Sequence, residues 1–137
     1  MTFLIIGLVI FIGVHSVSII NEQWRDGVAA RIGLGPWKGL YALTSLAGFA
    51  LLVYGYGEAR LAPTVLYIPP EWMRHLALLL LVPVFPLFVA TSLPGRIKSA
   101  AKHPTLLATK LWAVAHLLVN GMLADVVLFG AILAWAI

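Results

Sequence analysis

Apolar residues run almost unbroken through residues 2–20, and the polar character returns at Asn21. Further apolar runs occupy 40–56 and 75–92, and two shorter ones, 106–119 and 122–137, flank Asn120-Gly121. A helix that crosses a hydrocarbon core of about 30 Å takes roughly 20 residues. The first run meets that length, and the next two come close to it. Asn-Gly is among the stronger turn dipeptides, so the last stretch predicts two helices rather than one bent helix. The expected fold class is all-α: an integral membrane bundle of five transmembrane helices, forming a single membrane domain over 1–137.

The connections carry matching punctuation. "RIGLGPWKG" leads into the second span through glycines and Pro36, with Trp37 placed like an interfacial anchor. "APTVLYIPPEW" holds three prolines and predicts an ordered extended loop rather than a further span. Pro83 and Pro86 should kink the third span and free backbone carbonyls that its neighbours must cover. Ala42, Ser45, Gly48 and Gly55 recur along the second span, a pattern suited to close helix packing and also to ordinary membrane composition.

Composition sharpens the class. Of 137 residues 62% are hydrophobic and only 10% charged, against about 25% charged in a typical soluble domain. The net charge of +4 is too sparse, in so much hydrocarbon, to signal nucleic acid. Its placement speaks to topology instead. Arg25, Arg31, Lys38, Arg96, Lys98, Lys102 and Lys110 fall on one side of a five-span chain, and only Arg60 and Arg74 on the other. The positive-inside rule then places the N-terminus outside and the C-terminus in the cytoplasm. The first span is not expected to be a cleaved signal, having no basic n-region and no small-x-small cleavage site.

Chemistry must come from four histidines and five acids. The absence of cysteine removes thiol nucleophiles, thiolate ligands and disulfides. No H-E-x-x-H, phosphate loop or nucleotide fingerprint is present, and the serines have no evident partner acid. Asp125 is the one carboxylate clearly inside a span, where its position near a helix start suits capping; a proton relay or a propionate-side role is the alternative. An imidazole in hydrocarbon loses hydrogen bonds unless something satisfies it. His15 and His116 lie well inside the first and fourth spans, and Thr109, Ala113 and Asn120 share a helical stripe with His116. Such a set suits haem, which needs axial histidines and an apolar slot whose small residues admit a flat macrocycle. Hydrogen bonding to a neighbouring helix is the competing explanation. His75 and His103 sit at span mouths, where water can reach them.

"VHSVSIINEQWRD", "GLYALTSLAGFALLVYGY", "PPEWMRH" and "PGRIKSAAKHPTLLATKLWAVAHLLVNG" closely resemble the NnrU family, over nearly the whole chain. The last block, H-P-x(7)-W-x(3)-H, is the most specific. The resemblance implies a bacterial inner-membrane protein linked to denitrification and nitric oxide metabolism, and a kinship with plant 15-cis-zeta-carotene isomerase, which holds haem b by histidines. It further implies that His15 and His116 match the axial ligands of haem b, with a hydrophobic polyene or a nitrogen-oxide species as partner. That isomerase pattern carries a cysteine where this chain has Ala113, so exchange between histidine and thiolate on iron has no counterpart here. Span depth alone pairs His15 with His103, the fallback ligand, whereas the motif pairs His15 with His116. Two function classes stand: a haem protein with redox or isomerase-like chemistry, and a non-enzymatic assembly or transport factor for nitrogen-oxide enzymes with structural histidines.

Overall fold

The computed structural model describes all 137 residues. Its regular elements are all helices, with no strand beyond one isolated bridge. Three segments are long and apolar enough to cross a membrane: Thr2–Ile20, Leu34–Ala59 and Met73–Ser92. Two shorter apolar helices follow, Pro104–Val119 and Leu123–Ala136. The chain divides into two compact units, Met1–Ala62 and Pro63–Ile137.

The first unit comprises α1 (Thr2–Ile20), α2 (Glu22–Ile32) and α3 (Leu34–Ala59). The helix α2 lies where the sequence predicts a plain connection. Its formation follows from its ends. The Asn21 side chain accepts from the Trp24 N–H at 2.9 Å, Glu22 occupies the first turn and Arg31 the last, matching the helix dipole at both termini. The helix α3 also begins earlier than expected, because Pro36 falls in its first turn, where no intrahelical donor is required. Gly33, with φ of 93°, makes the corner between α2 and α3.

Glycines join α1 to α3. A Cβ on Gly48 would lie 2.8 Å from Ile10 Cγ2 and 2.9 Å from the Phe11 nitrogen. One on Gly7 would fall on the Leu52 backbone, and one on Gly55 on the Leu4 backbone. The two helices therefore pack backbone against backbone, as small residues permit. Outward, large apolar side chains such as Val9, Ile19, Leu46 and Val53 are exposed, as a lipid-facing surface requires.

The second unit opens with an extended segment at 63–72, then α4 (Met73–Leu81) and α5 (Val84–Ser92), broken apart at Pro83. Pro83 and Pro86 lack the N–H groups that the Leu79 and Val82 carbonyls would accept in a continuous helix, so the predicted kink is observed. A short helix, α6 (Arg96–Ala101), precedes α7 (Pro104–Val119). Lys102, at φ of 57°, forms a γ-turn that leaves His103 exposed at the N-cap of α7, with Pro104 opening the helix. A short connection at Asn120-Gly121, extended at Asn120 rather than a tight turn, leads to α8 (Leu123–Ala136). Val84, Leu87 and Ala108 form a buried cluster flanked by Leu81, Leu111 and Trp112, which holds α4 and α5 against α7.

The proline-rich segment is tied to that connection. Leu66 and Tyr67 donate backbone N–H groups to the Gly121 carbonyl, and Leu123 donates to Thr64. The Tyr67 hydroxyl donates towards the carbonyls of Leu117 and Asn120. Burial, and then the negative charge of Asp125, raises the Tyr67 pKa above its ordinary value of about 10. The phenol donates only when protonated. With the folded value raised above the unfolded one, its contribution is complete below pH of about 10 and is lost as pH climbs through the folded value. Tyr67→Phe should cost about 1 kcal/mol, because the ring is 39% exposed and water competes for both carbonyls. Thermal melts should show this deficit at neutral pH and show it vanish in strong alkali. Equal melting of the two proteins at neutral pH would remove the clasp from the account of stability.

Candidate functional site

The first unit presents His15 within a cage of rings. His15 lies one turn after Phe11 on α1, with ring centroids 4.3 Å apart, and Tyr41 of α3 meets its edge at 5.7 Å. Its Nδ1 is 2.6 Å from the Phe11 carbonyl oxygen. A carbonyl only accepts, so Nδ1 carries the proton of the neutral ring and the lone pair resides on Nε2. That is the tautomer and the orienting bond that histidine ligands of metals ordinarily have.

Beside this imidazole runs a shallow groove lined by Phe11, Tyr41, Ala42, Ser45, Leu46 and Phe49. The small residues of α3 thus divide their work. Gly48 and Gly55 are buried against α1, while Ala42 and Ser45 floor an open apolar channel.

The second unit presents His116 differently. Its ring stacks on Phe129 of α8, centroids 4.5 Å apart and planes 4° from parallel, with the Trp112 edge at 5.1 Å. Trp112, His116 and Asn120 follow at four-residue steps and share one stripe of α7. The Asn120 carboxamide donates to the His116 carbonyl at 2.9 Å and faces His116 Nδ1 at 3.5 Å, a long contact for a hydrogen bond. An N–H aimed at Nδ1 leaves the ring proton on Nε2. Ligation through Nε2 would require the proton on Nδ1 and the carboxamide turned over so that its oxygen accepts.

The other sequence-selected residues are placed as follows. Ala113 is fully buried, so the small-residue face open to a flat ligand is at Ala42 and Ser45 and not at Ala113. The Thr109 hydroxyl donates to the Thr105 carbonyl. His75 is exposed in the first turn of α4. Asp125 is 2% exposed at the third position of α8 and accepts from the Met122 N–H at 3.2 Å, the capping geometry expected of it. No group of three or more histidine, aspartate or glutamate side chains assembles that could hold a metal ion; axial ligation of haem asks for only one or two. Sequence reading missed Phe11, Tyr41 and Phe129. Phe11 could have been found, four residues before His15 on the same helix, whereas the other two lie on separate helices.

No curated protein and no solved structure matches the chain. A family model does, described as NnrU protein, over residues 3–137. With all but its first two residues covered, this chain belongs to the NnrU family.

Proposed function

We propose that this NnrU protein is a haem b-binding protein of the bacterial inner membrane, with His15 and His116 as axial ligands and a role in nitric oxide metabolism. The observation that carries the reading is the His15 imidazole. Its Nδ1 proton is engaged by the Phe11 carbonyl, its Nε2 bears the lone pair, and aromatic walls flank an apolar channel beside it. Phe11 and Tyr41 pack against the half-buried ring and fix its plane. In the second unit Trp112 and Phe129 do the same for His116, and Asn120 is the group that must change from donor to acceptor for Nε2 to ligate. Bound haem supplies a redox-active iron suited to electron transfer, to nitrogen-oxide binding or to isomerase-like chemistry on a polyene.

The alternative, a non-enzymatic membrane factor for assembly or transport with structural histidines, draws on His116, whose ring stacks within its own unit. Visible spectroscopy separates the two. Protein purified from haem-replete cells should show a Soret band and the low-spin signature of two imidazole ligands; protein free of any Soret band would leave the structural reading standing.

The proposed topology has five spans, with α4 and α5 together forming the third and α7 and α8 the last two. The seven-to-two distribution of basic residues supports an outside N-terminus and a cytoplasmic C-terminus. Single cysteines introduced at Ala29 and Ala100 should resist a membrane-impermeant thiol reagent in intact spheroplasts and react after lysis. Efficient labelling before lysis would reverse the orientation.

A further inference from the structure

Beyond its apolar channel, the first unit carries a second groove, of opposite character. It is lined by Ser18 of α1, Arg25 and Asp26 of α2, and Trp37, Lys38 and Tyr41 of α3, among others. Tyr41 borders both grooves, and its ring meets the edge of His15. Register explains the arrangement. Ser18 lies three residues after His15 and Lys38 three before Tyr41, so the polar groove begins about one turn, roughly 5 Å, to one side of the imidazole. Phe11, Ala42, Ser45 and Phe49 extend to the other side. The imidazole therefore stands at the seam between a hydrocarbon slot and a polar, cation-bearing pocket.

Charge in that pocket is not evenly available. The Arg25 guanidinium is held by Asp26 at 2.6 Å and Glu22 at 3.2 Å, and these contacts with the two acids push its pKa upward. Arg25 thereby cancels the neighbouring carboxylate. Lys38 is the cation of the groove without an ion pair. A ligand matched to both halves is flat and apolar at one end, carboxylate-bearing at the other, with an electrophilic metal near the imidazole between them.

Resting on the haem reading above, we infer that the Ser18–Lys38 groove is the carboxylate pocket of this site: the Lys38 ammonium binds a propionate, and the Ser18 hydroxyl donates to it. The polar helix α2 walls this pocket, which puts the propionates at the end of the unit nearest to water.

The test titrates ferric haem b and its propionate dimethyl ester into the full-length apoprotein in lipid nanodiscs, followed by the Soret change. The ester keeps the macrocycle and iron but has no carboxylates. Lys38→Met should weaken haem b about three- to fivefold, the range of a partly solvated ion pair, and leave the ester unchanged. Lys38→Arg should restore haem b binding, and Arg31→Met, outside the groove, should alter neither titration. Equal weakening of both ligands, or of neither, would overturn the inference while leaving haem binding intact. His15→Ala is run alongside: undiminished affinity for both ligands there would remove His15 as a ligand, and selective loss with Lys38→Met would still place the carboxylates. If the wild-type protein takes up neither ligand, the haem reading and this inference both fall.

Discussion

Gly55→Ala should destabilise the first unit by about 3 kcal/mol or more, whereas Gly57→Ala, two residues along the same helix, should be neutral or slightly stabilising. Helix propensity alone says otherwise, since alanine is favoured over glycine by about 1 kcal/mol at either position. Packing reverses the sign at one of them. A Cβ on Gly55 would overlap the Leu4 nitrogen and stand 2.7 Å from the Leu4 Cα, while nothing lies within 4 Å of one on Gly57. Overpacking costs typically about 1–3 kcal/mol when side chains can give way. Here the obstacle is main chain, so α1 must move as a body. Gly7→Ala meets the Leu52 backbone and should behave like Gly55→Ala; Gly13→Ala, with open space around it, should behave like Gly57→Ala. Chemical or thermal unfolding in micelles, followed by helicity, ranks the four. Equal stability of Gly55→Ala and Gly57→Ala would show that the contact between α1 and α3 is looser than the structure has it.

What the sequence made legible depended on how local the cause was. The kink at Pro83, the break between α7 and α8 at Asn120-Gly121 and the Asp125 cap each follow from one or two residues acting on their own backbone. The helix α2 is equally local in origin, yet a pattern of hydrophobic runs does not mark it. The signal lay in Asn21, Glu22 and Arg31, a capped polar helix with little apolar content. The small-residue pattern on α3 reads as suited to close packing at all four of its positions. Only placement against α1 shows that Gly48 and Gly55 pack while Ala42 and Ser45 floor a channel.

Contacts between distant residues lay outside what periodicity can show. Tyr67 reaches Leu117 across 50 residues of chain, and Phe129 meets His116 from the next helix. Around His116 the sequence stripe named Ala113 and Asn120. The first is buried with no exposed surface, and the second is a donor facing the ring nitrogen rather than an acceptor. The partner that orients the His15 imidazole is the Phe11 carbonyl one turn back on the same helix, and the short 2.6 Å contact is what fixes the tautomer.

Loss of haem is the result that the proposed function predicts for removing either imidazole, with His15→Ala the more severe of the two. The ring of His15 already has its orienting bond and its lone pair on Nε2, so on that reading it would offer the iron a pre-set ligand. His116 pays for a proton shift and a carboxamide inversion at Asn120 before it can do the same. Deleting an orienting partner alone commonly weakens metal binding by about 10–100-fold, so deleting the ligand should lower haem affinity at least about tenfold. His116→Ala should retain more haem than His15→Ala, but as a species with one imidazole ligand and altered spin state. His75→Ala and His103→Ala should leave content and spectrum unchanged, since both side chains sit on exposed positions at helix starts. Haem content by extraction, with electron paramagnetic resonance of the ferric form, reads both quantities in each variant. A two-imidazole signature surviving in His116→Ala and lost in His103→Ala would transfer the second ligand to the mouth of α7. Survival of that signature in His15→Ala would overturn the site itself.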